Sequence, residues 1–160
     1  MINKQIPIGG FSIIEMMIVL IVLSTILTAI FATLPQLQRN NRNNLRQDDV
    51  NKVANSITSY VNNNKGRNIT TPADVTAVKS RAQPFKQFDA TTMTFDVTNL
   101  PNSSSTLSAV TNLNTIRIVT AAECEADNSA KFHTKSNKRA TVLLYAVEGA
   151  SGPVSKCLPV

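Results

Sequence analysis

The sequence predicts an α+β protein in which one long N-terminal helix is followed by a small antiparallel sheet. Residues 11–32 are predominantly apolar, and residues 50–61 carry apolar side chains at helical spacing. Farther along, residues 93–98 alternate apolar with polar side chains, and residues 140–148 are largely apolar, which is typical of strands. An amphipathic helix needs a sheet to cover its apolar face, so these segments together indicate a helix packed on a sheet.

The apolar stretch has the length of a membrane helix. Its 22 residues suffice to cross about 30 Å of hydrocarbon, whereas a cleavable secretory signal has a shorter apolar core and a small-x-small cleavage site. One carboxylate, Glu15, lies near its start. Because an ionised side chain at the bilayer centre costs about 2.5–3.5 kcal/mol, we expect Glu15 to have a cationic partner.

The orientation signals of the chain disagree with each other. Arg39, Arg42 and Arg46 follow the apolar stretch, and the positive-inside rule would place them in the cytoplasm. Two cysteines later in the chain favour export instead. We adopt the exported orientation.

The junction Gly9-Gly10-Phe11-Ser12-Ile13-Ile14-Glu15, followed by Met-Met-Ile-Val-Leu, resembles the leader junction of type IV pilins. The resemblance covers the leader, the apolar stretch and the helix after it. It implies the type IV pilin fold, cleavage after Gly10 by a prepilin peptidase, and methylation of the new amino terminus at Phe11. It also implies that Glu15 meets the amino terminus of a neighbouring subunit. A contact with Phe11 of the same chain, or a glutamate that reaches the membrane surface, is the alternative.

Two positions depart from the usual pilin pattern. Ser24 stands where many pilins have a glycine, and Pro35 comes three residues later than the usual proline. The hydroxyls of Ser24, Thr25 and Thr28 compete for backbone carbonyls, which predicts a softened helix. Pro35 removes one helical hydrogen bond and predicts a kink.

These observations divide the chain into four segments. Residues 1–10 are the leader peptide, 11–34 the transmembrane and filament-core helix, 35–66 an amphipathic helix, and 67–160 a globular head. Gly66 is expected to cap the second helix in a left-handed conformation. Within it, Arg39, Arg42 and Arg46 predict one basic face. That face contacts lipid headgroups and solvent or, alternatively, pairs with Asp48 or Asp49 of a neighbouring subunit.

The head begins with a short helix and continues with strands. Thr71 can cap a helix that runs to Arg81, with Pro72 and Asp74 in its first turn and Pro84 after its end. Strands are expected around residues 93–98, 115–120, 140–148 and 154–158, with a turn at 148–153, and the third of these strands is expected to be central. The residues predicted to face the core in the first two strands are Met93, Phe95, Val97, Ile116, Ile118 and Val119.

Cys124 and Cys157 are the two cysteines of the chain. Behind a membrane segment they predict one disulfide in an exported domain, with two free buried thiols as the alternative. In the chain-entropy model such a bridge stabilises the head by about 3–4 kcal/mol. Because pilins commonly carry a C-terminal disulfide loop, the resemblance implies that residues 124–157 face out of the filament.

The head offers little for catalysis. His133 is the one histidine in the sequence, too few ligands for a zinc site or a histidine-dependent centre, so we expect no enzyme, no metal and no cofactor. Glu123, Glu125 and Asp127 are expected to form a solvated loop, with calcium binding as the alternative. A basic cluster is a candidate surface ligand patch for an anionic polymer or host surface. Its members are Lys131, His133, Lys135, Lys138 and Arg139. Nucleic acid is not an expected partner, because Phe132 is the one stacking aromatic there.

The resemblance implies a structural subunit, the major pilin of a type IV pilus used for adhesion, twitching motility or DNA uptake. It implies a single-pass protein of the inner membrane that later becomes part of an extracellular helical filament of identical copies. Its other partners are the prepilin peptidase, the assembly ATPase with its inner-membrane platform, and the lipid bilayer before assembly. The alternatives are a type II secretion pseudopilin, a minor tip pilin with a ligand-binding head, and an enzyme anchored by its helix.

Overall fold

A computed structural model describes residues 10–89, 92–99, 109–125, 132–134 and 140–160 of the chain. The elements follow the predicted α+β order. They are helix α1 (Ile13–Asn63), helix α2 (Pro72–Ala82) and strands β1 (Thr94–Asn99), β2 (Thr115–Thr120), β3 (Ala122–Cys124), β4 (Phe132–Thr134), β5 (Thr141–Glu148) and β6 (Pro153–Pro159). The chain divides into two compact units, of which the first ends at Gln38 and the second begins at Arg39.

The main sheet has four strands in the order β1-β2-β5-β6. Strand β5 is central, as predicted, and pairs antiparallel with both β2 and β6. Strands β1 and β2 are parallel, so the prediction of an antiparallel sheet is wrong for this pair. Parallel neighbours need a long connection, and residues 100–114 between the two strands supply it. The pairing of β3 with β4 in a second, two-stranded sheet was not predicted.

Both faces of strand β5 are covered by apolar side chains. Leu143 and Tyr145 pack in one core cluster with residues of both helices, to which α1 contributes Val50, Val53, Ile57 and Tyr60. Val142, Leu144 and Ala146 belong to a second cluster on the opposite face, together with Val119 and Cys157. A strand buried on both faces needs apolar residues in succession, which explains the apolar run in the sequence.

Helix α1 ends where the sequence places a stop. Asn63 is its last residue, and the backbone N–H of Gly66 donates to the carbonyl of Val61 at 2.8 Å. Lys65 and Gly66 both adopt positive φ values, 55° and 80°. The end is therefore a Schellman-type cap in which Lys65 takes the left-handed position and Gly66 follows it.

Helix α2 begins with the predicted cap. The Thr71 side chain accepts from the backbone N–H of Asp74 at 3.2 Å, and the Asp74 carboxylate accepts from the backbone N–H of Thr71 at 2.9 Å. This reciprocal capping box satisfies amides that the first helical turn leaves without partners. The helix ends at Ala82, one residue beyond the predicted end and before Pro84.

Candidate functional site

The first unit presents a continuous apolar surface. Its large apolar side chains from Phe11 to Leu37 are between 40% and 83% exposed. By length and composition, α1 is long and apolar enough to cross a membrane. Soluble monomers rarely expose apolar patches larger than a few hundred Å², so this surface is suited to lipid or to other protein chains.

Glu15 lies in the first turn of α1. The carbonyl of Ser12 starts the helix by accepting from the backbone N–H groups of Glu15 and Met16, at 3.0 and 3.2 Å. A carboxylate is favoured at this end of a helix because the unpaired amides carry partial positive charge. Within the described part of the chain, no cation forms an ion pair with Glu15, whose side chain is exposed. The carboxylate is therefore accessible to a cation supplied from elsewhere.

The predicted soft positions lie inside a continuous helix. The hydroxyls of Ser24, Thr25 and Thr28 donate to carbonyls three or four residues earlier, each at 2.8 Å. These bonds satisfy the hydroxyls, so the side chains do not carry unpaired polar groups into an apolar environment. Pro35 is also within α1, where it can donate no N–H to the carbonyl of Phe31. The predicted softening at Ser24 and the predicted kink at Pro35 stay predictions.

The basic face of α1 contacts the end of strand β5 in the second unit. Arg42 donates to the Glu148 carboxylate through Nε at 2.9 Å, and Arg46 does so through Nη1 at 2.8 Å. Asn43 forms two hydrogen bonds with the Glu148 backbone, donating to its carbonyl at 2.9 Å and accepting from its N–H at 2.8 Å. Arg39 donates to the carbonyl of Gly149 at 3.4 Å. We call these six residues the arginine clamp.

The arginine clamp changes the interpretation of the basic face. The hydrogen bond from Arg42 is the largest influence on Glu148 and, with that from Arg46, lowers the Glu148 pKa to about 2 despite partial burial. Arg42 and Arg46 thus bind a glutamate of their own chain, and neither sequence-based interpretation anticipated this. Glu148 is more than a hundred residues away in sequence, so no local signal could identify it as their partner.

Asp49, proposed above as a partner for a neighbouring subunit, is fully buried. Its carboxylate accepts from the backbone N–H groups of Lys86, Gln87 and Phe88, with Gln87 closest at 2.7 Å. Burial alone would raise the Asp49 pKa, but these three donors outweigh burial and the pKa lies below its ordinary value. The alternative that Asp49 pairs with a neighbouring subunit is therefore wrong, because the carboxylate is inaccessible.

A second buried carboxylate joins α1 to α2. Asp74 accepts from the Tyr60 hydroxyl at 2.5 Å and from the backbone N–H of Thr70 at 3.0 Å, and Arg67 lies 3.3 Å away. The hydrogen bond from Tyr60, followed by that from Thr70, holds the Asp74 pKa well below its usual range. This network fixes the second half of α1 and has the character of a structural contact.

The predicted disulfide is present and the alternative of free thiols is wrong. Cys124 of β3 and Cys157 of β6 are bonded, with their Cα atoms 5.8 Å apart. The candidate patch of Lys131, Lys135, Lys138 and Arg139 lies outside the described residues, as does Asp127 of the acidic cluster. The described residues include no group of three or more metal-ligating side chains.

A cleft of about 480 Å³ lies between α2 and β1. Apolar side chains such as Val75 and Phe95 form part of its lining, and Lys79 is the charged residue in that lining. The Lys79 ammonium lies 5.9 Å from the centre of the Phe95 ring. Among the described residues of this lining, the side chains do not form an acid–base pair.

No protein-family model, curated protein or solved structure matches this chain. A function is therefore inferred from the residues themselves and from their arrangement.

Proposed function

We propose that the chain is a structural subunit of a type IV pilus and that its fold is the type IV pilin fold. The observation that carries this proposal is the junction from Gly9 to Glu15 directly before an apolar helical segment whose side chains are exposed. The junction combines a cleavage signal with a carboxylate in the first helical turn. The α+β layout and the Cys124–Cys157 disulfide support it further.

In this proposal the exposed apolar surface has two successive environments. Before assembly it lies in the inner membrane, where lipid covers the side chains from Phe11 to Leu34. During assembly an ATPase and its platform move the subunit into a filament, where the same side chains pack against other copies. Both environments remove the surface from water, which is favourable by about 25 cal/mol for each Å² of apolar area.

Glu15 makes assembly depend on processing. A prepilin peptidase cuts after Gly10 and creates a new amino terminus at Phe11, which carries a positive charge. In the filament this amine pairs with Glu15 of a neighbouring subunit. Leaving one of two buried charges unpaired costs about 3–5 kcal/mol, so the pair favours the addition of processed, correctly placed subunits.

Filament composition tests this proposal directly. Filaments sheared from cells that produce the chain are expected to contain it as the dominant protein, beginning at methylated Phe11 and carrying the disulfide. Intact-mass and peptide mass spectrometry measure all of these features in one sample. If the chain found on the cell surface still contains residues 1–10, the proposal is contradicted. If the chain is processed but scarce in the filaments, it is a minor subunit.

Removing the Glu15 carboxylate tests the assembly mechanism. The Glu15→Ala variant is expected to be cleaved normally and to form no filaments, because the buried amine then has no partner. Glu15→Asp is the matched variant that keeps the charge on a shorter side chain, and it is expected to restore part of the filament yield. Filaments at the wild-type level in Glu15→Ala would contradict the role of Glu15.

A further inference from the structure

We propose that the arginine clamp binds the phosphate of an anionic lipid headgroup while the subunit is in the membrane. The inference rests on the proposed function, since it requires the apolar segment to lie in a bilayer. The ion pairs with Glu148 neutralise only part of the positive charge of the basic face, and the lipid phosphate is the proposed partner for the rest.

The clamp carries more positive than negative charge. Arg39, Arg42 and Arg46 converge on Glu148 and Gly149, and these three cations with one carboxylate have a formal charge of +2. The next carboxylates along α1 do not compensate for it. Asp49 is bound to backbone amides and Lys52, and Asp48 pairs with Lys86. The turn after Glu148 adds no charge before β6, because it reads Gly-Ala-Ser-Gly.

Two of the three arginines are accessible to a ligand. The Arg42 side chain is 42% exposed and donates to Glu148 through Nε and Nη2 alone. Arg39 is half-buried, and its hydrogen bond to the neutral carbonyl of Gly149 is long, at 3.4 Å. A guanidinium has five N–H donors in a planar fork, so both side chains retain donors for a phosphate. Arg46 is buried and serves to hold Glu148 in place.

The position of the clamp in the sequence selects a lipid as the source of the phosphate. Leu37 is the last exposed apolar residue of the first unit, and Arg39 follows it by two positions. If residues 11–34 occupy hydrocarbon, Arg39 follows them by five positions, about 8 Å along a helix, which is the depth of the headgroups. Basic residues next to a membrane helix attract anionic lipids with about fivefold tighter binding for each cation.

Native mass spectrometry of the full chain tests the proposal. The protein is released from detergent micelles that contain either phosphatidylglycerol or phosphatidylcholine, and the bound lipid is counted. The wild-type chain is expected to prefer phosphatidylglycerol, and Arg39→Gln to reduce that binding about fivefold. Lys65→Gln removes an exposed cation two residues beyond the last residue of α1 and is the matched control, expected to bind as the wild type does.

The Glu148→Gln variant separates lipid binding from a purely structural role. It raises the formal charge of the clamp from +2 to +3, so lipid binding is expected to increase, whereas structural damage alone would not increase it. Equal binding of the two lipids, or wild-type binding by Arg39→Gln, would overturn the proposal. Displacement of the lipid by millimolar inorganic phosphate would assign the site to a free ion and would also overturn it. Filament formation is measured separately, so loss of the lipid preference in a chain that still assembles leaves the proposed function intact.

Discussion

Helix α1 carries apolar side chains in both of its halves, but the two halves use them differently. Before Gln38 the large apolar side chains are exposed. After Arg39 the same kinds of side chain, from Val50 to Tyr60, form one side of the core. In the half after Arg39, apolar side chains recur at helical spacing because one face of the helix is buried in the core. In the half before Gln38, apolar side chains occur all around the helix, which suits an environment that surrounds it.

The carboxylates of the helix differ in the same way. Glu15 has no cation paired with it among the described residues, while Asp49 accepts from three backbone amides and lies near Lys52. Asp49 therefore contributes to the stability of the second unit. Glu15 contributes nothing comparable within the described chain, which is consistent with a charge kept for a partner outside it.

The largest expected effect distinguishes two adjacent aspartates. Asp49→Ala removes a fully buried carboxylate, leaves the three backbone N–H groups that it binds without that acceptor, and is expected to lower the free energy of unfolding by about 4 kcal/mol. Asp48→Ala makes the same change one position earlier. Its side chain is 56% exposed and its pair with Lys86 is 3.5 Å long, so we expect an effect within about 0.5 kcal/mol.

Denaturant unfolding in detergent measures both variants. The near-ultraviolet signal of Tyr60 and Tyr145, the two tyrosines of the chain, reports on the core because both side chains are buried. If the two variants lose similar amounts of unfolding free energy, burial of the carboxylate does not determine how much each aspartate stabilises the protein.

A second matched pair compares the two halves with a single chemical change. Ile57→Ala removes a side chain that is 1% exposed and is expected to cost about 3 kcal/mol, by lost burial and by the cavity that remains. Ile26→Ala removes a side chain that is 51% exposed and is expected to leave unfolding of the second unit unchanged. The same tyrosine signal measures both, and a cost above 1 kcal/mol for Ile26→Ala would contradict the comparison.

The features that sequence reasoning predicted correctly are local ones. The cap at Thr71 and Asp74 depends on residues three apart, and the bounds of β2 follow from alternation within six residues. The central place of β5 follows from its apolar run, because a strand with apolar side chains on both faces needs a position in the sheet where both faces are covered. In each case the pattern and the structure that it predicts lie within one element.

The features that it missed depend on distant parts of the chain. The parallel pairing of β1 with β2 concerns the relative direction of two strands, which the periodicity within either strand does not record. Arg42 and Arg46 form a basic face by spacing, but their ion pairs with Glu148 exist because the end of β5 meets that face. Asp49 is one of two adjacent aspartates in the sequence, and it differs from Asp48 in lying on the buried face of α1 and in accepting from the backbone of residues 86–88.

The smallest expected effect is a pH dependence that belongs to the arginine clamp. Hydrogen bonds from Arg42 and Arg46 lower the Glu148 pKa from its ordinary 4.5 to about 2 in the folded protein. The folded state thus favours the ionised carboxylate, so this stabilisation is present above pH 4.5 and is lost as the pH falls to about 2. Glu148→Gln is expected to cost about 2 kcal/mol at pH 6 and almost nothing at pH 2.

Denaturant unfolding of the wild type and of Glu148→Gln, each followed as a function of pH, measures this dependence. Acid also removes the stabilisation that Asp49 and Asp74 contribute, but it does so equally in the wild type and in the variant. The difference between their free energies of unfolding at each pH therefore isolates Glu148. Glu15→Gln is the control from the other half of α1, and a pH-dependent difference of similar size there would show that the clamp is not its source.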